Sequence, residues 1–576
     1  MSYFITKACA KCHYCELECP AQAISFHGID YVIDQDKCVR CGLCAKLCPV
    51  SAIKDTEAVP VEKHEPVEIS CDLAVIGAGG SGLVAAVKFV QLTGKKAVVL
   101  EKAKKPGGST VFAHGFGAIY SKMQREAGDP DAREQVVKRS MDLAGGLYDE
   151  DFVRKMVYST GEFFDWLCSL GGYEGLFELT GSEFGPQDAS AVPGTNRIAF
   201  PKRTLNKKCT DQAVGPGWMG SYVVEHMLQK CRELGIEVLT GTAAEKIITG
   251  PDGAVCGIDA ADEGGRVYVD CRMCLVAAGG CSFNDELIRK IEPQFFSGEY
   301  IRQSAPTTTG DGILMAESIG AKIAYEDIRV PMQAPAHHPF GYCGYRYYQQ
   351  DETVIVNLKG RRFIAEDRYG FTPESMGRNA AHIRSTNGIA YAIADSAMIE
   401  RFTRELIKNP PDKYDAEYFK NYKADLAKDA ENDVALFIAD SFEGIAAKLS
   451  EKFGTDPGTL VDELERYNGF CRSGRDEDFG KDPSHLTPLE TPPFYAFYGQ
   501  GFSEGTYGGI VTDNDLRALD ASGRPIKGLY AVGDNAQGFN RAELRGPAAA
   551  PLSDLTWAVN SGYQAAIAMA KDDTQA

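Results

Sequence analysis

Eight cysteines near the start of the chain have the type and spacing that hold iron–sulfur clusters. They form two runs of the pattern C-x2-C-x2-C-x3-C-P, and each cysteine of the first run recurs 29 residues later: Cys9, Cys12, Cys15 and Cys19, then Cys38, Cys41, Cys44 and Cys48. Three thiolates at positions i, i+3 and i+6 of a tight turn can converge on three corners of one [4Fe–4S] cube. The alternative, a pair of zinc knuckles, normally lacks a repeated C-x3-C-P tail.

Residues 1–57 resemble a bacterial two-cluster ferredoxin over their whole length. In such ferredoxins the fourth cysteine of each run binds the cluster that the other run holds. The resemblance therefore implies two ligand sets, which are Cys9, Cys12, Cys15 and Cys48 for one cluster and Cys38, Cys41, Cys44 and Cys19 for the other. Because so small a module has little hydrophobic core, we expect the clusters to hold its fold together.

A glycine-rich loop with the spacing of a dinucleotide-binding motif follows the cysteine runs. A short apolar stretch predicts a buried strand, the loop Gly77-x-Gly79-x-x-Gly82 follows, and a helical stretch leads to a second strand that ends at Glu101. In this arrangement the glycines allow a tight turn and a close approach to a pyrophosphate at the helix N-terminus, and the acid binds ribose hydroxyls. The predicted site comprises Gly77, Gly79, Gly80, Ser81, Gly82 and Glu101.

Three later segments, 102–110, 275–280 and 528–534, favour FAD over NAD. With the glycine-rich loop they resemble the FAD contacts of the fumarate reductase and ketosteroid dehydrogenase flavoprotein superfamily, and the resemblance covers most of residues 71–570. It implies further cofactor contacts at Lys102, Gly107, Gly108, Ser109, Thr110, Gly115, Ala243, Ala244, Ala278, Gly279, Gly280, Asp534, Ala549 and Leu552. Ala243 and Ala244 would lie at the adenine and Asp534 at the ribityl chain, and the last helix would direct its positive end at the flavin.

The same resemblance implies an α/β Rossmann-like FAD domain of the glutathione-reductase type with an inserted α+β capping domain, preceded by the α+β ferredoxin domain. His338-Pro339 and Thr506-Tyr507-Gly508-Gly509 resemble the sequences that bound the cap. The expected organisation is ferredoxin domain 1–57, linker 58–70, FAD-binding domain 71–337 and 501–576, and capping domain 338–500. Membrane-bound members tether FAD to a histidine after the Gly-Gly pair. Ser109 or Thr110 stands in that region, so we expect non-covalent FAD.

Candidate catalytic residues follow from the family's reaction, in which an acid protonates the substrate after hydride transfer. Fumarate reductases use a cap arginine as this acid. The family's Thr-Arg-Asp sequence is absent here, so Arg368 and Arg378 are candidate substitutes and Tyr369 is an alternative donor. His338 matches the first histidine that binds a substrate carboxylate, and Arg545 lies near the position of the arginine that clamps the other carboxylate.

The substrate class depends on Gly505, which replaces the family's second carboxylate-binding histidine. A C4-dicarboxylate needs two separate cationic clamps, so this replacement argues against fumarate. The Gly-Thr-x-Gly-Gly sequence instead resembles the ketosteroid dehydrogenase branch. There a tyrosine in a Phe-Tyr-Ala segment activates a ketone, as Tyr495 would here.

These features favour a reductase of an activated carbon–carbon double bond in an enone or enoate, such as a ketosteroid-like or aryl-acrylate substrate. Three alternatives stay open: a dehydrogenase working in the opposite direction, a fumarate reductase-like dicarboxylate reductase, and an electron-transfer subunit of a larger complex. The expected partners are a small unsaturated carbonyl or carboxylate and a low-potential donor such as a ferredoxin, a flavodoxin or a reductase. A homo-oligomer is compatible with the sequence.

Composition limits the remaining classes. The 576 residues carry a formal net charge of −19, which argues against a nucleic-acid binder. No apolar run approaches the roughly 20 residues that span a bilayer, and the N-terminus has no export signal. We therefore expect a cytoplasmic, anaerobic oxidoreductase without a membrane span.

Overall fold

The computed structural model describes most of the chain. The residues outside the described part are 1, 10–13, 28–29, 49, 57–61, 114, 145–148, 172–176, 181–196, 200–219, 292–300, 303, 326–331, 334–349, 369–388, 410–418, 432–434, 501, 504, 507, 539–553 and 576. Some predicted site residues fall there, namely Cys12, His338, Tyr369, Arg378, Arg545, Ala549 and Leu552, and of Arg368 only the backbone is described. No described helix has the length and hydropathy needed to cross a bilayer.

The described part of the chain contains both strands and helices throughout its length. The strands are β1 Tyr3–Ile5, β2 Ile24–His27, β3 Asp30–Ile33, β4 Ile53–Asp55, β5 Val67–Ser70, β6 Leu73–Ile76, β7 Ala97–Glu101, β8 Gly115–Phe116, β9 Glu178–Thr180, β10 Arg197–Ala199, β11 Glu237–Thr240, β12 Ala243–Thr249, β13 Val255–Ala261, β14 Arg266–Asp270, β15 Met273–Val276, β16 Ile301–Arg302, β17 Met332–Gln333, β18 Val354–Asn357, β19 Ile389–Asp395, β20 Leu436–Ala439, β21 Phe494–Gln500, β22 Phe502–Ser503, β23 Arg517–Leu519 and β24 Pro525–Ala531. The helices are α1 Tyr14–Leu17, α2 Leu43–Leu47, α3 Gly80–Thr93, α4 Lys122–Ala127, α5 Arg133–Ala144, α6 Glu150–Ser169, α7 Gly220–Glu233, α8 Asp285–Ile291, α9 Asp311–Ser318, α10 Ser396–Lys408, α11 Tyr422–Glu431, α12 Phe442–Phe453, α13 Pro457–Ser473 and α14 Asp554–Gln575.

The N-terminal module is a small α+β unit. β1 pairs with β4 in antiparallel fashion, so the two ends of the module meet at Tyr3 and Asp55. β2 and β3 form a hairpin, and the short helices α1 and α2 contain Cys15 and Cys44, the third cysteine of each run. Only a few apolar side chains are buried in this module, among them Ile24, Ile33 and Ile53.

A six-stranded sheet forms the centre of the second half, in the order β11-β7-β6-β15-β24-β23. The first five strands are parallel and β23 pairs antiparallel at the edge. All four residues of β6 are buried, which explains its unbroken apolar run, because parallel strands are covered on both faces. α3 begins at the end of β6 and packs against α14.

A second sheet, β12-β13-β14-β5, lies beside the first and includes part of the predicted linker. The sequence predicts no strand over 58–70, but Val67–Ser70 forms β5 and pairs in parallel with Val267–Asp270 of β14. His64 also binds this sheet, since its Nε2 lies 2.9 Å from Asp262 Oδ1. The linker prediction was wrong for these residues because the partners of so short a strand lie about 200 residues away.

The described part of 338–500 has a sheet and core of its own. Its strands are antiparallel in the order β18-β19-β21-β20, and residues of α10, α12 and α13 complete its apolar core. The apolar residues of the N-terminal module belong to this same cluster, whereas Val50 packs against the core of the FAD-like half. The N-terminal module therefore contacts both of the other parts of the chain.

Candidate functional site

The second cysteine run is joined by one cysteine of the first run. The pKa of Cys44 is raised to about 11, chiefly by burial and also by the nearby thiols of Cys19, Cys38 and Cys41, while a backbone hydrogen bond from Ala45 opposes the rise. Cys19 thus lies within electrostatic range of the second run, as the interleaved ligand sets require. Grouped thiols resist ionisation unless a cation compensates their charge, so the arrangement suits a metal cluster.

In each run the sulfur of the fourth cysteine accepts a backbone hydrogen bond. The N–H of Ala23 donates to Cys19 Sγ at 3.3 Å, and the N–H of Ala52 donates to Cys48 Sγ at 3.1 Å. Such bonds help to set the reduction potential of an iron–sulfur cluster. Among the described residues no three His, Cys, Asp or Glu side chains are close enough to hold a single metal ion.

The glycine-rich loop has a shape that only glycine permits at two positions. Gly77 has φ +109°, and a Cβ there would lie 2.3 Å from the carbonyl oxygen of Ala277. A Cβ on Gly82 would lie 2.1 Å from the carbonyl oxygen of Gly77. The turn between β6 and α3 is therefore folded tightly against the end of β15, which brings the N-terminus of α3 to the carboxyl edge of the parallel strands.

Space remains open beside the N-terminus of α3. A Cβ on Gly79, the residue that precedes the helix, would meet nothing nearer than 3.8 Å apart from its own chain neighbours. Gly79 pairs with Gly107 through a backbone bridge, and Gly108 faces it. These glycines fit a pyrophosphate, because first-turn N–H groups and the absence of side chains allow close approach of an anion.

Glu101 is fixed by two backbone donors. The N–H of Ala78 donates to Oε2 at 2.8 Å, and the N–H of Ala103 donates to Oε1 at 2.7 Å. Burial raises the pKa of Glu101, and these two bonds oppose that rise. The N–H of Thr242, which precedes Ala243, donates to the carbonyl oxygen of Glu101. The structure thus brings the predicted ribose and adenine residues together.

The side chains after Glu101 hold loops together. Thr110 Oγ1 accepts from the N–H of Gly80 at 2.9 Å, and Ser109 Oγ accepts from the N–H of Ala305 at 3.0 Å. Lys102 Nζ bonds Asp311 Oδ2 at 2.7 Å, so its charge is engaged by α9. Neither Ser109 nor Thr110 supplies the imidazole that tethers FAD in the membrane-bound members.

The paired glycines after β15 lie against the segment that contains Gly505. Cys281 N–H donates to Thr506 Oγ1 at 2.5 Å, and a Cβ on Gly280 would lie 2.1 Å from that same oxygen. Gly505 has φ +139°, and a Cβ on it would lie 3.7 Å from Asp534 Oδ2. The predicted ribityl residue Asp534 is therefore adjacent to Gly505, the position on which the expected substrate class was based.

The remaining described candidates have different surroundings. Gly115 begins β8, and Gly117 just after it donates its N–H to Thr556 near the start of α14. Tyr495 lies on β21, where burial raises its pKa, followed by the effects of Tyr422 and Glu400 on two neighbouring helices. These neighbours belong to the predicted cap, so the described surroundings of Tyr495 are those of a residue that packs within the cap.

A buried charge network was missed by the sequence analysis. Arg362, Glu366, Asp476 and Lys481 have fully buried side chains and bond one another. The network ends at the short helix Glu366–Arg368, directly before the segment that carries the other candidate acids. The only local signal was an arginine four residues before a glutamate, since the other two partners lie over 100 residues away.

Comparison with known families decides the assignment. A model described as "FAD binding domain" matches residues 72–546, and one described as "4Fe-4S binding domain" matches residues 31–54. The chain belongs to this FAD-binding family. The family is one of FAD-dependent oxidoreductases, which confirms the resemblance and the enzyme class predicted from the sequence. The 4Fe–4S match includes the second cysteine run, and the first run lies outside it.

Named relatives of this chain include reductases and a dehydrogenase. Vinyl phenol reductase of Lactiplantibacillus plantarum is 26% identical over 500 residues, covering 83% of this chain and 91% of the relative. Urocanate reductase of Eggerthella lenta is 25% identical over 516 residues, covering 85% and 74%. The structure of 3-ketosteroid-delta4-(5alpha)-dehydrogenase from Rhodococcus jostii RHA1 matches with a TM-score of 0.62 and 22% identity, covering 87% of this chain and 97% of that one, and shows the shared fold.

Proposed function

We propose that this protein reduces an activated carbon–carbon double bond in an enone or enoate, with electrons that reach FAD through two [4Fe–4S] clusters. The observation that carries the proposal is that the cysteine-rich module packs onto the FAD-binding half, with Val50 against its core. A separate donor protein would not need a fixed contact of this kind. The names of the vinyl phenol and urocanate reductases support a small unsaturated substrate.

We further propose that a Rossmann-like FAD domain, residues 71–337 and 501–576, carries residues 338–500 as an inserted cap, with the ferredoxin domain at 1–57. The separate sheet and core within 338–500 support this division. The small sheet β16-β22-β17 supports it too, because it joins two strands that precede the proposed cap to one that follows it. A cap at this place would exclude water from the reacting double bond.

When bound, FAD supplies hydride to one substrate carbon, and the clusters supply single electrons. The chain's own residues would bind and orient these groups: the glycine loops beside α3 accommodate the pyrophosphate, and Glu101 accepts from the ribose. A proton donor from Arg368, Tyr369 or Arg378 would complete the reduction at the second carbon. The Arg362–Glu366 network would hold the start of that segment in place.

The cofactor content gives a direct test of this assignment. We expect about eight irons per chain and one FAD, because each cube contains four irons. We also expect acid precipitation to release the FAD, since Ser109 or Thr110 stands where the membrane-bound members carry the tethering histidine. Half of that iron, or flavin that stays with the precipitated protein, would contradict the proposed cofactors.

Gly505 supports a substrate other than a C4-dicarboxylate. Its φ of +139° is one that residues with a Cβ rarely adopt, so a carboxylate-binding histidine does not fit this backbone. An anaerobic screen with reduced viologen would compare ketosteroid-like enones, aryl acrylates and small enoates, fumarate included. We expect the bulkier substrates to be reduced faster than fumarate. Succinate formation as the main activity would refute this substrate class.

The variant Gly505→His tests the same reasoning. It should lose activity without gaining fumarate reduction, because the backbone at 505 is strained for any side chain. A matched control is Gly523→His, which places histidine at another glycine of positive φ, +78°, where a Cβ would meet nothing within 4 Å. The control should retain activity. A gain of fumarate reduction in Gly505→His would show that one missing histidine alone sets the substrate.

A further inference from the structure

Lys105 joins the cysteine-rich module to the FAD-binding loop. Its Nζ lies 2.7 Å from the carbonyl oxygen of Lys46, 2.8 Å from that of Cys48 and 3.3 Å from that of Ala45. These carbonyls close the C-terminal end of α2, where helix carbonyls lack partners within the helix. A cation is favoured at this end of a helix, so the ammonium group both satisfies the carbonyls and complements their partial charge.

The position of Lys105 in the chain gives this contact its meaning. Two residues after it comes Gly107, which pairs with Gly79 beside the N-terminus of α3. The peptide that holds Cys48 is therefore attached to the same loop that frames the proposed pyrophosphate position. Val50, two residues beyond Cys48, packs against the core of the FAD-binding half and provides a second, apolar contact.

The other ligand set has a different exposure. Cys41 is exposed, and its neighbour Val39 is 66% exposed. The two ligand sets are thus unequal in exposure: Cys41 of one set reaches solvent, whereas Cys48 of the other set is only partly exposed and its own carbonyl bonds Lys105. This asymmetry is not visible in the duplicated sequence, where the two runs are equivalent.

We propose that Lys105 is a positioning residue that fixes the Cys48 side of the ferredoxin module against the FAD-binding loop, so that electrons enter the flavin from that side. The proposal rests on the proposed function for its cofactors. A low-potential one-electron donor would be oxidised twice at the exposed Cys41 side. The two electrons, with protons from solvent, reduce FAD. The substrate then receives both electrons as one hydride, and a separate proton completes its reduction.

The test uses the full-length protein with its cofactors and no alkene, so it does not depend on the substrate. A photochemical one-electron reductant reduces the protein anaerobically, and the bleaching of the flavin is followed. The relevant phase is the one whose rate does not change with reductant concentration. In Lys105→Met we expect this phase to be at least about tenfold slower, because the docked state loses three charge-assisted hydrogen bonds and even one such bond accounts for a factor of about ten.

Hydrogen exchange supplies a readout besides electron transfer. Residues 44–50 and 102–110 should exchange faster together in Lys105→Met, because each segment loses the other as a partner. Lys105→Arg keeps the charge and several donors, so it should restore most of both properties. Lys104→Met is the matched control, since Lys104 is exposed and pairs only with surface Glu263 among its described contacts. The control should behave as the wild type does.

Two results would overturn the proposal. The first is an unchanged flavin reduction rate in Lys105→Met, which would mean that the contact does not position the module for electron transfer. The second is loss of iron from this variant, which would mean that Lys105 maintains the cysteine turns themselves. Failure of the proposed alkene reduction would leave both readouts intact, so the two proposals can be refuted separately.

Discussion

Replacing Glu366 by glutamine should loosen the part of the chain that precedes the candidate acids. Glu366 accepts from Arg362 through both carboxylate oxygens, at 2.9 and 2.8 Å, and from the N–H of Ile355 at 3.0 Å. Arg362 also bonds both oxygens of Asp476, and Lys481 Nζ lies 3.4 Å from Glu366 Oε2. Two cations and two anions thus balance within a site from which water is excluded.

The expected loss of stability in Glu366→Gln follows from this balance of buried charges. Burial by itself would raise the pKa of Glu366, but Lys481 and Arg362 lower it below its ordinary value, so the ionised form is the one the site holds. Glutamine removes one negative charge and places an amide donor opposite the guanidinium donors. Breaking one member of a buried ion pair costs about 3–5 kcal/mol, because it leaves an uncompensated charge. Local opening of β18 should become easier by that amount.

Hydrogen exchange of the intact protein measures this opening locally, which avoids treating a multidomain chain as two-state. Amides of 354–357 and 366–368 should exchange about a hundred- to several-thousand-fold faster in Glu366→Gln. Arg466→Ala is the control, because its pair with Asp478 is exposed at the surface and is worth about 0–1 kcal/mol. Unchanged exchange at 354–357 in Glu366→Gln would show that the network does not hold β18.

Two further changes test the FAD-binding loop and the contact of His64. Gly82→Ala should lower the molar ratio of FAD to protein, because its Cβ would lie 2.1 Å from the carbonyl oxygen of Gly77, whereas Gly469→Ala, where nothing lies within 4 Å, should retain full flavin content. Equal flavin in both would contradict the role of the tight turn. Hydrogen bonds to the carbonyl of Glu65 and then to Asp262 raise the pKa of His64 above 6.5. A group whose pKa is higher in the folded than in the unfolded protein stabilises the fold at pH values below its unfolded-state pKa. This stabilisation is lost as the pH rises through the folded-state pKa. The melting temperatures of wild type and His64→Gln should therefore differ below pH 6.5 and converge above the raised pKa of His64, and a constant difference would argue against this pair.

The FAD-binding and 4Fe–4S domains could be predicted because their chemistry lies in local spacing. Each cysteine run and the loop from Gly77 to Gly82 occupy a dozen residues or fewer, and the reasons for their residue types are steric or coordinative. The class of the enzyme followed from the same segments and is confirmed by the family match to residues 72–546. Residues that hold the site in place were less accessible to such reasoning.

The features that could not be predicted from the sequence depend on contacts between residues that lie far apart in the chain. β5 needs Val267–Asp270 as its partner, and the buried carboxylate Glu366 needs Lys481, more than 100 residues away. Tyr495 matched a functional motif by its neighbours in sequence, yet its described surroundings are helices of the proposed cap. Nothing in a short window distinguishes a tyrosine that faces a substrate from one that packs within a sheet.

Lys105 shows why the missing information concerns function as well as stability. In the sequence it is one of two adjacent lysines before a Pro-Gly-Gly segment, and nothing local distinguishes the two. The structure separates them: Lys104 reaches a surface glutamate, and Lys105 reaches three carbonyls of the ferredoxin-like module. Because the loop has one backbone, the lysine that binds the module and the glycines that face α3 move together. A rigid loop of this kind would keep donor and acceptor in register during turnover, which a flexible tether between two domains would not achieve.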